Sequence, residues 1–586
     1  MHVIATAGHV DHGKSTLVRA LTGMEPDRWE QERRRGLTID LGFAWTRLPS
    51  QQTVAFVDVP GHERFVSNML AGVGPVPAAM LVVAADEGWM PQSAEHLAAL
   101  DAFGVRHGLL VITRSDLADP APALASAQEQ LAGTGLAGVP AVPVSAVTGA
   151  GLDQLRSTLD KVLAGLPPPV TDGPVRLWVD RSFTIRGSGT VVTGTLRAGR
   201  LAVGDELVLS RTGRPVVVRG LQTLGEPAET VPAVARVAVN LRGVERDQIH
   251  RGDALLSPGQ FRMTDLVDVR ITGEAAAALP PEALLHLGSA AVSVRVRPLG
   301  PDTARLRLAR PLPLHLGDRA LLRDPGRRQI LGGVILLDVA PPPLTRRGAA
   351  AARAKELADY DGRPDPHAEL RRRRLLRRGE LVAMGVPVVS APVAGDWLAD
   401  PDWWASQRAR LAAVVDQYAA ADPLAGGVPV ETLRHALGLP DRELVAALVT
   451  PPLTVTDGRV SRGEPQLPAP VRQAVARVLT DLAAHPFQAP EAGRLAALGL
   501  GPKELAAAVR AGALLRVAPQ VVLAPDAPTR AVAILADLPQ PFTLSQARQA
   551  LHTTRRVAVP LLELLDRRGL TRRLPDDRRT VVRLAI

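Results

Sequence analysis

The sequence predicts a multidomain chain: an α/β domain with a P-loop at the front, a middle of short strands, and an α+β tail. Three observations carry this. Apolar strand-like runs alternate with helical stretches up to Pro167-Pro168-Pro169, short strands with Gly turns follow, and helical periodicity returns from Pro341-Pro342-Pro343 onward. At 586 residues the chain far exceeds a single hydrophobic core.

Composition narrows the classes. There are no cysteines, which removes disulfide frameworks, thiolate zinc sites and thiol catalysis together. Met1 to Ala7 turns polar too soon for a secretory signal, and no apolar run reaches bilayer length, so a soluble cytoplasmic monomer is expected. The formal charge of +10 is mild for this length, and its placement matters more than its size.

At the front, Val3-Ile4-Ala5 leads into Gly8-His9-Val10-Asp11-His12-Gly13-Lys14-Ser15 and Thr16, the spacing G-x-x-x-x-G-K-[ST]. The glycines let backbone N–H groups from Asp11, His12 and Gly13 through Thr16 crowd around phosphate. Lys14 neutralises the β/γ charge, and the Ser15 hydroxyl faces Mg²⁺. Leu17 to Leu21 reads as the helix that such a cradle needs. Thr38, in Arg35-Gly36-Leu37-Thr38-Ile39, is the expected second hydroxyl on Mg²⁺. The strand Val54 to Val57 ends in Asp58-Val59-Pro60-Gly61-His62. Asp58 holds Mg²⁺ through water, the Gly61 amide reaches the γ-phosphate, and His62 orients the attacking water and stabilises transition-state charge.

Base selection follows. Ala79 to Ala85 ends in Asp86, and Gly108 to Ile112 ends in Thr113-Arg114-Ser115-Asp116, a departure from the guanine motif N-K-x-D. Asp116 still accepts the N1–H and exocyclic N2–H₂ of guanine, and Arg114 offers its aliphatic stem to the base face. Val142-Pro143-Val144 precedes Ser145-Ala146, the turn that supplies an N–H to guanine O6. Residues 1–170 are read as a doubly wound GTPase domain binding GTP and GDP.

Together G-H-V-D-H-G-K-S, R-G-L-T-I and D-V-P-G-H resemble the translational GTPases, the class that contains elongator Tu. The continuation Thr38 to Ala44 is similar to one branch, the selenocysteine-specific elongation factors, or SelB family. This resemblance implies that Val10 and Ile39 form a hydrophobic gate beside His62, opened when ribosomal RNA draws the histidine toward the water. It also implies two small β-barrels, residues 171–260 and 261–342, that hold an aminoacyl-tRNA. Val175 to Phe183, Gly187 to Thr195, Val216 to Leu221 and Ala235 to Leu241 are expected strands of the first. Ala291 to Arg297, Ala304 to Leu308, Arg319 to Arg323 and Ile330 to Val339 are expected in the second.

Selenocysteine differs from serine by a selenol that is ionised at neutral pH, so its pocket should offer positive charge. Arg181 beside Asp180 is the leading candidate, with Arg236 and Arg242 as partners. The plainer reading is that these arginines decorate a barrel surface.

The tail, residues 343–586, repeats helix, basic helix and short β pair, as in Leu498 to Arg510 followed by Leu514 to Val517 and Val521 to Leu523. That is the winged-helix pattern, with room for about four units. In the last, 527–586, Thr553 to Gly569 resembles the family's final recognition helix, with Arg555 and Arg556 at its start and Arg572 and Arg573 in the wing. From Arg548 to Ile586 ten Arg face four Asp and Glu, a net of +6 in 39 residues. Paired arginines there favour phosphate contacts, and the resemblance makes the ligand a hairpin in selenoprotein mRNA. The run Arg371 to Arg374 is either an exposed helix side or a ribosomal RNA contact, and the linker prolines suggest a hinge.

The expected activity is GTP-dependent delivery of selenocysteinyl-tRNA to the ribosome at UGA codons, with ribosome-stimulated hydrolysis to GDP and phosphate and an mRNA stem-loop as address. Tethering to that stem-loop raises local concentration at the codon. Two rivals remain. An initiation GTPase does not account for the arginine-rich tail, and its archaeal-type version needs a cysteine zinc module absent here. A GTP-controlled DNA-binding regulator leaves the barrels unexplained.

Overall fold

The computed structural model of the chain describes residues 1–26, 38, 40–74, 76–187, 189–463 and 467–582. Two compact units emerge: Met1–Glu369 with Arg377–Val389, and Leu370–Leu376 with Ser390–Ile586.

The first unit opens with β1 (His2–Ala7), α1 (Lys14–Thr22), β2 (Gly42–Arg47), β3 (Thr53–Asp58), α2 (Val66–Val73), β4 (Ala78–Ala84), α3 (Pro91–Ala102), β5 (His107–Thr113), α4 (Pro120–Leu131), β6 (Ala141–Pro143) and α5 (Leu152–Ala164). They form a sheet of order β2-β3-β1-β4-β5-β6, parallel except for β2 against β3. Every residue of β4 is buried, as befits a central strand covered on both faces. Alternate residues of β1 feed opposite cores, Val3 and Ala5 one, Ile4 the other. On α5, Leu155, Leu159 and Leu163 recur every four residues and bury one helix face.

Next, eight of the strands from Arg176–Trp178 to Ala254–Leu256 make an antiparallel sheet around a single apolar core, and Arg200–Ala202 pairs separately with Thr230–Pro232. Ala235–Arg242 buries every second side chain, the period-two pattern that sequence alone suggests. Its ladder is open, with edge strand Arg181–Ile185 beyond Gly189–Leu196. The following six strands, Arg262–Gly273 to Gln329–Asp338, close into a barrel. Leu321 of that barrel belongs to the core of the front domain.

The chain after Pro341-Pro342-Pro343 is tied to the barrel. Pro342 O accepts from Arg305, and the helix Ala349–Leu357 docks on the barrel through the buried Arg353, whose Nε donates to Asp268 Oδ2 at 2.7 Å and whose Nη2 pairs with Asp338. Prolines set the chain direction here, and a buried ion network then fixes it.

The second unit holds three successive winged-helix arrangements. Pro401–Ala421, Val430–Leu437 and Arg442–Leu448 pack with a three-stranded sheet. Ala469–Ala484, Ala492–Ala497 and Pro502–Arg510 carry the hairpin Leu515–Ala518 with Val521–Leu523. Ala527–Ala536, Leu544–Ala550 and Arg555–Arg567 carry Thr571–Arg573 with Arg579–Val581. The latter two share one hydrophobic core. In the helical stretch expected over Leu498 to Arg510 the helix begins at Pro502, because Leu498 ends the preceding helix and Gly499 turns at φ 71°. Arg371, Arg372 and Arg373 form the basic last turn of Pro366–Arg373, where cations complement the helix dipole. Among the described residues, no helix is long and apolar enough to cross a membrane.

Candidate functional site

The loop between β1 and α1 is pinned at almost every residue. Gly8, at φ 136°, lies under the Val82 carbonyl where a β-carbon would collide, and its N–H donates to His96 Nδ1 at 2.9 Å. The Val10 N–H donates to Gln92 Oε1 at 2.9 Å. Arg114 Nη2 donates to the Asp11 carbonyl, and Thr113 Oγ1 to the His12 carbonyl at 2.8 Å. Thr113 therefore makes a loop-holding bond with a hydroxyl, although the N-K-x-D pattern is broken there.

Within this cradle α1 begins at Lys14 behind Gly13, a left-handed residue at φ 77° with no side-chain cap. Its first N–H groups, through Ser15 and the exposed Thr16, stay open to an anion. Lys14 Nζ donates to the Gly8 and His9 carbonyls at 3.0 and 2.6 Å. Burial depresses its pKa to about 8. His12 is fully buried and close to Glu87 at 3.5 Å, and burial keeps it neutral with a pKa of about 4.

The hydroxyl and carboxylate set expected on Mg²⁺ converges. Ser15 Oγ lies 2.6 Å from Asp58 Oδ2 and 2.9 Å from Thr38 Oγ1, while Thr6 Oγ1 donates to Asp58 Oδ1 at 2.7 Å. Burial pushes the Asp58 carboxyl up against the opposing pull of these bonds and of Lys14. Gly61 approaches Lys14 Nζ and the Val10 amide. His62 makes local contacts: Nδ1 accepts the Arg64 N–H at 3.2 Å, and the ring lies 6.0 Å from that of Phe65. Ile39 and Arg35-Gly36-Leu37 lie outside the described residues, so the partner expected for Val10 is not placed.

On the base side Asp116 is exposed. Ser145 shapes its turn, its N–H donating to Ala150 O and its Oγ accepting from Thr148, and Ala146 follows at the turn. Arg114 departs from the expectation. At φ 55° its guanidinium joins Asp86 at 3.0 Å and Glu87 at 2.8 Å, so it braces the loop.

Asp180, Arg181 and Arg236 meet against β2, with Asp180 paired to Arg236 and not to its chain neighbour Arg181. Asp180 is held by Arg236, with Nη2 to Oδ1 at 2.7 Å, and by Thr193 Oγ1 at 2.7 Å. Arg181 instead pairs with Asp40 at 3.0 Å and donates to the Leu41 carbonyl. Both guanidinium groups lie over the Phe43 ring, at 5.1 and 3.9 Å from its centre. With Trp45, Thr193 and Gly225 they line a cavity of about 150 Å³. Arg242 is not among them. It lies exposed at the far end of Ala235–Arg242, six residues beyond Arg236, roughly 20 Å along a strand.

In the last winged helix, Arg555 is exposed at the helix start and Arg572 in the wing. Arg556 is exposed as well, and its Nη2 also donates to the Ala489 and Pro490 carbonyls of the preceding winged helix. Arg573 pairs with Asp577 across the exposed wing, and Arg579 is buried on Asp566.

Sequence reasoning missed Gln92, His96, Asp40 and Arg251, the last donating to Asn68 Oδ1 at 2.5 Å and Ser67 O at 3.2 Å on α2. Only Gln92 and His96 left a signal, two polar groups at helical i, i+4 spacing on a helix that is otherwise largely apolar.

Residues 1–165 match the elongation factor Tu GTP binding domain, 189–256 elongation factor Tu domain 2, 266–343 the selenocysteine-specific elongation factor β-barrel domain, and 533–580 the elongation factor SelB winged helix. The chain is 37% identical over 423 residues to the selenocysteine-specific elongation factor of Escherichia coli, covering 67% of this chain and 68% of that one. It is 39% identical over 346 residues to that of Desulfomicrobium baculatum, covering 56% of this chain and 55% of the relative's length. The crystal structure of a bacterial selenocysteine-specific elongation factor superposes with a TM-score of 0.75 at 26% identity, over 99% of this chain and 100% of that one.

Proposed function

The chain belongs to the selenocysteine-specific elongation factors, and from that premise we propose that it delivers selenocysteinyl-tRNA to the ribosome at UGA codons under GTP control, addressed by an mRNA stem-loop. The observation that carries the cargo assignment is the pair of guanidinium groups, Arg181 and Arg236, stacked on Phe43 around a small cavity. A selenolate gains charge-assisted contacts there that a neutral serine hydroxyl does not. Asp180 orients Arg236, while Asp40 and Leu41 O orient Arg181, so the pocket shares residues with the segment leading from Thr38 into β2.

Backbone amides from Asp11 to Thr16 and the Lys14 ammonium receive the phosphates, while Asp116 and the Ser145-Ala146 turn select guanine. Ser15, Thr38 and Asp58 are hard oxygen donors gathered within 2.9 Å of Ser15 Oγ, a set that suits Mg²⁺, which would neutralise phosphate charge when bound. Gly61 leaves its amide free to approach the γ-phosphate side. His62, accepting at Nδ1, carries its proton on Nε2 and swings from its local turn to orient the attacking water.

Arg555 and Arg572, exposed in the last winged helix, meet the hairpin backbone, with Arg573 assisting from the wing. The protein acts in the cytoplasm as a monomer. The test is translation of a message with an in-frame UGA, with and without its stem-loop. Full-length product should require the protein, GTP and the stem-loop together, and equal yield without the stem-loop would overturn the addressing role.

A further inference from the structure

On the guanine reading given above, the groups that face the base stand at the end of β5 and in the turn after β6. Guanine offers donors at N1 and the exocyclic N2, and acceptors at O6 and N7. The exposed Asp116 carboxylate takes both donors. The Ser145 N–H is already given to Ala150 O at 2.9 Å, so O6 falls to the amide of Ala146. N7 is left, and it needs a hydrogen.

Thr113, the last residue of β5, opens the segment that departs from N-K-x-D, and it is 3% exposed. Its Oγ1 lies 2.8 Å from the His12 carbonyl oxygen and 3.4 Å from that of Val83. Both neighbours are acceptors, so the single hydroxyl proton is directed at them and only lone pairs remain for the base. A lone pair cannot serve N7, itself an acceptor. Asparagine in this position would carry two N–H hydrogens, one for the His12 carbonyl and one to spare. Arg114 does not replace it: Nη1 is held by Asp86 and Glu87 at 3.0 and 2.8 Å, and Nη2 by the Asp11 carbonyl. The Ser115 N–H goes to Val144 O at 3.2 Å and the Leu117 N–H to Arg114 O at 3.0 Å.

We propose that this chain reads guanine without a contact to N7, and that Thr113 is the residue that sets this, so guanine nucleotides with C–H in place of N7 bind as well as the natural ones. The inference rests on the GTP-binding reading. Selectivity against adenine is untouched, because the two purines share N7 and differ on the edge that Asp116 and the Ser145-Ala146 turn read. What is lost is affinity, about three- to tenfold for one neutral hydrogen bond. The hydroxyl proton holds the phosphate loop instead.

The test is competition for the full-length protein between GDP and its deaza analogue, which has C–H in place of N7. Inosine diphosphate, which lacks the exocyclic amine, is measured alongside, and the thermal midpoint checks folding. For the wild type, GDP should bind no more than about twofold tighter than the deaza analogue, yet at least about fivefold tighter than the inosine nucleotide, which loses half its contact with Asp116. Thr113→Asn should create a preference for GDP over the deaza analogue of about threefold or more. Thr113→Val removes the hydroxyl at nearly constant shape and should weaken both nucleotides equally, so their ratio stays that of the wild type. A wild-type preference for GDP beyond about twofold, a Thr113→Asn preference short of about threefold, or a ratio that shifts in Thr113→Val would overturn the inference and leave GTP binding standing. A wild type that falls short of its margin over the inosine nucleotide, or binds neither, would instead overturn the guanine reading on which the inference rests.

Discussion

Gly61 and Val10 approach so closely that a β-carbon on Gly61 would stand 2.6 Å from the Val10 amide nitrogen and 2.5 Å from Lys14 Nζ. Only glycine fits between the phosphate loop and the segment that presents His62. Gly61→Ala should therefore leave GDP affinity within a few-fold while lowering ribosome-stimulated hydrolysis by ~10²-fold, because the segment cannot close over the γ-phosphate. Single-turnover hydrolysis on ribosomes checks this, and near-normal rates would show that the approach is not used.

Lys14 gives a pH signature. Burial holds its pKa at about 8, and phosphate brought beside it favours the charged form, so the bound value is higher. Below pH 8 the ammonium is already protonated and binding is pH-independent on its account. Above pH 8 binding takes up a proton, and GDP affinity should fall as pH rises, by up to about tenfold per unit. Calorimetry in two buffers of different ionisation enthalpy measures that proton directly; no uptake at pH 9 would contradict the assignment.

Arg181 and Arg236 should separate on substitution. Arg236→Ala strands the buried Asp180 carboxylate and should destabilise the protein by about 3–5 kcal/mol, visible as a lowered thermal midpoint. Arg181→Ala leaves Asp40, which is only partly buried, and should cost much less stability. Its effect should fall on cargo: about a tenfold loss of preference for selenocysteinyl- over seryl-tRNA. An unchanged preference would remove Arg181 from the pocket.

Much of this site was legible in sequence because it is local. The P-loop, the D-x-P-G-H segment and the S-A turn are contiguous motifs whose spacing carries their geometry, and strands such as Ala235–Arg242 and Ala290–Pro298 alternate buried and open side chains with period two. What escaped is long-range. Arg181 finds Asp40 across 141 positions of chain, and Gly8 finds His96 across 88, pairings that exist only once domains have packed. The arginine pair at the start of the last recognition helix shows the same long-range effect. Arg555 and Arg556 look alike in sequence, yet Arg556 alone of the two also bonds the Ala489-Pro490 loop.

That difference is measurable. Arg555→Ala and Arg572→Ala should each weaken hairpin binding and each reduce the salt slope by about one, with the thermal midpoint unchanged. Arg556→Ala should lower the stability of the joined winged helices and leave the salt slope intact. Filter binding across a salt series distinguishes the two classes, and a reduced slope for Arg556→Ala would return it to the RNA surface.

The most direct measurement is the affinity of the protein for selenocysteinyl-tRNA and for seryl-tRNA on the same tRNA body, each in the presence of a non-hydrolysable GTP analogue and of GDP. Tight binding of selenocysteinyl-tRNA in the GTP form alone, weaker by ~10²-fold or more for either change, is the expected result. Equal retention of both tRNAs, or indifference to the nucleotide, would contradict it.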